Sequence, residues 1–121
     1  MSTVLLVEDS ATQREMISDF LKQKGLKVTV ASDGVEALEK VEVNRPDLVL
    51  LDIVMPRMNG YECCRRLKSN PKTNKIPVVM CSSKSEQLDR YWGLKQGADA
   101  YLAKPFHPGE LLRTLKQFLK R

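Results

Sequence analysis

Five short apolar runs, each followed by a stretch of helical period, constrain this chain more than any other feature. The runs are Val4 to Val7, Val28 to Ala31, Leu48 to Leu51, Pro77 to Cys81 and Ala100 to Ala103. Their near-continuous hydrophobicity suits strands covered on both faces, as in a parallel sheet. The first helical segment carries Met16, Ile17, Phe20 and Leu21, opens behind Ser10 as N-cap and stops at Gly25. The second carries Val35, Leu38 and Val41 after Asp33 and ends before Pro46; a third holds Tyr61, Cys64 and Leu67. A fourth holds Leu88, Tyr91, Trp92 and Leu94 up to Gly97, and the last holds Leu111, Leu112, Leu115, Phe118 and Leu119. Strand then helix, five times over, predicts an α/β domain: a doubly wound, five-stranded parallel sheet with five helices. With 121 residues, the expectation is one domain over 1–121 and no effector domain.

Composition narrows the class. With 42% hydrophobic and 29% charged residues, the chain reads as a soluble globular protein. No apolar run approaches the roughly 20 residues that a membrane helix needs. The start, Met1 to Asp9, lacks a basic n-region and a long h-region, so a cytoplasmic address is expected, without membrane insertion. Cys63, Cys64 and Cys81 lack C-x-x-C spacing, and His107 is the only histidine, so reduced thiols are expected rather than a metal site. A net charge of +5 raises the question of nucleic acid. The basic residues are scattered, however, with a modest cluster at Arg113, Lys116, Lys120 and Arg121, and solvated helix faces explain them.

Right-handed crossovers align the carboxyl ends of parallel strands along one edge, and ligands of such folds bind outside that edge. Glu8 and Asp9 follow the first strand, Asp52 the third, Ser82 and Ser83 the fourth, and Lys104 with Pro105 the fifth. Three acids close together repel one another and invite a hard divalent cation; Mg²⁺ suits a site with few carboxylates and an open side. A cation, an aspartate and a lysine are also what phosphoryl transfer needs, with Asp52 attacking in line and Lys104 neutralising phosphoryl oxygens. Ser82 would donate a hydrogen bond to the new group. Each residue alone has a plainer reading: Glu8 and Asp9 favouring a helix start, Asp52 opening a turn, Ser82 and Ser83 capping a helix, Lys104 at the surface. It is their joint appearance along one edge that points to chemistry.

These residues sit in motifs. The stretches are Leu5-Leu-Val-Glu8-Asp9-Ser10, Asp33-Gly34 with Glu36-Ala37-Leu38, Pro46-Asp47 through Asp52 to Met55-Pro56-Arg-Met58-Asn59-Gly60, Ile76-Pro77-Val-Val, and Gly97-Ala98-Asp99 through Lys104-Pro105-Phe106. With them the chain resembles the receiver domain of two-component response regulators, the CheY-like flavodoxin fold with strand order 2-1-3-4-5. The resemblance implies that Asp52 is the phosphoacceptor and that Asp9, Asp52 and the Val54 backbone carbonyl ligate Mg²⁺, with Glu8 acting through a bound water. It implies Ser82 as switch hydroxyl, Lys104 as phosphate-pairing lysine, Tyr101 as the aromatic that turns inward on activation, and a cis peptide before Pro105. Departures are mild: Glu8 stands where many members have Asp, and Ser82 where Thr is commoner. Val54, two residues past the acceptor, offers no group to position a water.

The function so implied is a stand-alone response regulator that takes a phosphoryl group from a sensor histidine kinase. It would assist its own phosphorylation and dephosphorylation without being an enzyme in the usual sense. The kinase would dock around Gln13, Arg14 and Ile17. The surface of the fourth helix, fifth strand and fifth helix, with Tyr101, Trp92, Lys95 and Phe106, would then change shape for a protein target, in motility or taxis by analogy. Tyr91 and Trp92 also lie on the apolar stripe of their helix, which reads equally as core. The chain would be a monomer or weak dimer and would not bind nucleic acid directly, lacking a recognition helix. The alternatives are a phosphorylation-independent binding module and an aspartate-nucleophile phosphohydrolase; Val54 stands where the latter needs a second acid.

Overall fold

The computed structural model describes residues 2–83 and 87–119. The order is β1 (Thr3–Val7), α1 (Ala11–Gln23), β2 (Lys27–Ala31), α2 (Gly34–Val43), β3 (Leu48–Leu51), α3 (Gly60–Ser69), β4 (Val78–Ser82), α4 (Gln87–Lys95), β5 (Ala100–Ala103) and α5 (Pro108–Phe118). The five strands are all parallel and run β2-β1-β3-β4-β5 across the sheet, as predicted. Lys120 and Arg121 of the basic cluster lie outside the described residues.

Alternation along each strand divides two cores. Leu5, Val7, Val49, Leu51, Val78 and Met80 pack with Ala37, Val41, Cys63, Cys64 and Leu67 from α2 and α3. Val4, Leu6, Leu48, Leu50, Val79 and Cys81 face the other way, onto Ile17 and Leu21 of α1 and Leu111 and Leu115 of α5. Successive strand residues point to opposite faces, so a strand covered on both sides must be apolar throughout. Helix starts are fixed by side chains that accept otherwise unpaired N–H groups. Ser10 Oγ accepts from Gln13 N at 3.3 Å, Asp33 Oδ1 from Glu36 N at 2.9 Å, Asn59 Oδ1 from Glu62 N at 3.0 Å and His107 Nδ1 from Gly109 N at 3.1 Å.

Two expectations change. β4 spans Val78–Ser82 rather than Pro77–Cys81: Pro77 only accepts, from Val49 N at 2.9 Å, because it has no N–H to give the ladder. Ser82 is therefore a fully buried residue of β4. The apolar stripe of α4 does not enter the core either. Leu88, Tyr91, Trp92 and Leu94 are all about half exposed, and Gly93 is the one buried residue of that helix. Among the described residues no helix is long and apolar enough to cross a membrane.

Candidate functional site

The carboxyl ends of β1 and β3 bring their acids together. Asp52 N donates to Val7 O and Glu8 N to Ala31 O, both at 3.0 Å, so the sheet ladder runs one residue past each strand and fixes both backbones. Asp52 Oδ1 accepts from the N–H of Ile53 at 2.7 Å. The chain then loops out and returns so closely that a Cβ on Gly60 would lie 2.2 Å from Asp52 O; only glycine admits this approach. Glu8, Asp9 and Asp52 each offer a carboxylate oxygen within 4.8 Å of the others, with Glu8 and Asp52 buried and Asp9 exposed.

Lys104 reaches this cluster from the end of β5. Its N–H donates to Ser82 O at 2.8 Å, and the peptide to Pro105 is cis, as expected. The ammonium donates to Glu8 Oε1 at 2.7 Å and to Gln13 Oε1 at 2.6 Å, and lies 3.6 Å from Asp52 Oδ2. Burial works against the charge of Lys104, yet the hydrogen bond to Glu8 and the charges of Asp52 and Glu8 outweigh it and raise its pKa. Three carboxylates against one ammonium still leave an excess of negative charge. The donors are all hard oxygens and Asp9 keeps one side open, which fits a small divalent cation that retains waters.

The cluster thus gathers Glu8, Asp9, Asp52 and Lys104, with Ser82 ending the adjacent strand. Glu8 also accepts from Ser10 N at 3.1 Å, so both its carboxylate oxygens are engaged by the chain itself. Val54 lies on the loop after Asp52 with its side chain exposed. Gln13, on the face expected to dock the kinase, also meets Lys104, and an amide on an exposed helix gives no sequence signal of such a contact. The pairing of Asp33 with Arg57 on the β3–α3 loop went equally unread.

The sequence matches the response regulator receiver domain over residues 4–116. The chain belongs to this family. Among relatives, MtrA of Mycobacterium tuberculosis, a DNA-binding response regulator, is 41% identical over 98% of this chain. The chain spans about half the length of MtrA and of most such relatives. Protein PilH of Pseudomonas aeruginosa is 36% identical over 98% of both chains. Among solved structures, the Vibrio cholerae chemotaxis protein CheY4 superposes with TM-score 0.92 and 35% identity, covering 98% of this chain and 99% of that one. The receiver domain of sensor kinase PA1611 from Pseudomonas aeruginosa, solved with magnesium in its active-site cleft, gives TM-score 0.91 and 32% identity over 98% and 97%.

In this receiver domain Tyr101 is already inside, only 5% exposed, beneath α4. Burial, then the neighbouring Tyr61 and Asp89, pushes its phenol up to about 12. The Arg90 guanidinium lies 5.2 Å over its ring and donates to Tyr101 O at 3.0 Å. All three cysteines are buried free thiols pushed up to about 12 by burial, so they stay protonated and unreactive.

Proposed function

We propose that this receiver domain is a Mg²⁺-dependent phosphoacceptor switch. The observation that carries the reading is the convergence of Glu8, Asp9 and Asp52 with the Lys104 ammonium 3.6 Å from Asp52 Oδ2. Asp9, Asp52 and the Val54 carbonyl would hold the metal, with Glu8 acting through a water because its own oxygens are already bonded. Bound there, Mg²⁺ supplies positive charge to the phosphoryl oxygens. An Asp52 oxygen attacks phosphorus of a kinase phosphohistidine; the O–P bond forms, the N–P bond breaks and the imidazole nitrogen keeps the electron pair. Lys104 pairs with the added charge, roughly −1.5 to −2, and Ser82 donates its hydroxyl to it.

The domain turns over no separate substrate on this reading. Its output is a population shift at the face of α4, β5 and α5, where Ser82 and Tyr101 couple site to surface. Exposed Leu88, Tyr91, Trp92 and Leu94 give α4 an apolar surface that suits a protein target better than nucleic acid. PilH and CheY4, matched over nearly their whole lengths, support output by contact in trans, and CheY4 supports a taxis role. Incubation with a small-molecule phosphodonor and Mg²⁺ tests the reading. Hydroxylamine-labile phosphate that disappears in Asp52→Asn supports it; phosphate persisting in that variant overturns it.

A further inference from the structure

The loop between β3 and α3 carries Val54 and is held to the domain at two places. At its base Gly60 N donates to Ile53 O at 2.8 Å. At its far side it is gripped by the junction of β2 and α2. Arg57 Nε donates to Asp33 Oδ2 at 2.8 Å and Nη2 to Asp33 Oδ1 at 3.1 Å, while Gly34 N donates to Met58 O at 3.2 Å. The approach is tight enough that a Cβ on Gly34 would lie 2.7 Å from that same oxygen.

Arg57 is the one non-glycine among the described residues with positive φ, at 65°. Glycine takes that conformation freely, so an arginine there points to use of its side chain. The side chain is 59% exposed, whereas its partner Asp33 is 8% exposed and also caps α2. A solvated cation therefore reaches inward to a fixed, buried anion. The guanidinium, through its hydrogen bonds, holds the Asp33 carboxyl below the usual carboxylate range.

We infer that Arg57 is a positioning residue for the metal site: by gripping Asp33 it fixes the β3–α3 loop and with it the Val54 carbonyl. The inference rests on the Mg²⁺ site proposed above. A carbonyl on a loop serves a cation well only if binding need not first order the loop, and partners outside the ligand set supply that order.

Calorimetric titration of Mg²⁺ into the metal-free protein tests this with wild type, Arg57→Gly and Arg57→Lys, beside thermal unfolding and amide exchange without metal. In Arg57→Gly the Mg²⁺ dissociation constant should rise roughly tenfold. Its metal-free melting temperature should fall by roughly a few degrees, because Asp33 loses its partner while glycine takes the same φ without strain, and exchange at Gly34 N–H should accelerate. Arg57→Lys, which keeps the charge, should recover part of the affinity. If the glycine variant does not fold, Arg57→Asn, which also tolerates positive φ, is read in its place. Affinity within twofold of wild type, or a loss that lysine does not partly restore, overturns the inference. Wild-type protein that takes up no Mg²⁺ overturns the metal reading itself, and so separates the two.

Discussion

The Lys104 ammonium lies 2.7 Å from Glu8 Oε1 but 3.6 Å from Asp52 Oδ2, so one acid of the cluster holds the cation away from the other. Lys104 and a divalent ion then compete for the same negative charge. Lys104→Met should lower metal-free stability by about 1–3 kcal/mol, because buried acids lose their counter-charge. The same change should tighten Mg²⁺ binding several-fold, roughly 1 kcal/mol, by removing a repelling charge. Calorimetry that gave weaker Mg²⁺ binding in this variant would show that the two cations cooperate instead.

Acid should weaken the β2–α2 junction. Asp33 is held below its ordinary pKa by Arg57 and the Glu36 N–H, and Glu36 by the N–H and hydroxyl of Ser32. A depressed folded pKa means that the unfolded chain binds protons first as pH falls. The stabilisation is therefore complete above roughly pH 5 and is lost as pH falls through about 4 and below. Asp33→Asn should be less stable at pH 7 yet lose less of its stability between pH 7 and pH 3.5. Urea midpoints across that range measure the difference.

Gly93→Ala weighs propensity against space. In a helix interior alanine gains about 1 kcal/mol over glycine. Here the new Cβ would stand 2.7 Å from Met80 Sδ and 3.0 Å from Tyr101 Cδ2, and both side chains are buried. Overpacking costs about 1–3 kcal/mol, so the net should be destabilising, with Tyr101 displaced. A raised melting temperature would show that Met80 gives way freely.

Trp92 and Leu111 should separate surface from core. Trp92, the sole tryptophan, is 46% exposed and edge-on to Tyr91 at 5.5 Å. Trp92→Ala should change stability by no more than about 0.5 kcal/mol, and its fluorescence should be quenched readily by iodide. Leu111→Ala, 1% exposed beneath the sheet, should cost about 2–5 kcal/mol. Denaturant melts of the two variants decide.

The five strands and the Ser10 cap were legible because burial and helix starts are written locally, in apolar runs and short polar side chains, whereas the strand order came with the family resemblance. The acids and Lys104 were legible because strand ends fix their places. Tertiary position decided α4, which turned Gly93 inward in place of its large apolar residues, whereas the one-residue shift of β4 is local, set by the missing N–H of Pro77. Gln13 meets Lys104 across 91 residues and Arg57 meets Asp33 across 24, and neither pair leaves a periodic trace.

α4 rests on the sheet through Gly93, without a large apolar side chain to root it, while every residue of β4 beneath is buried. Its amide protons should therefore exchange through local openings that leave the sheet closed. Reshaping this helix then draws on a small, separate reserve of free energy, and the domain can change its outer face many times without approaching global unfolding.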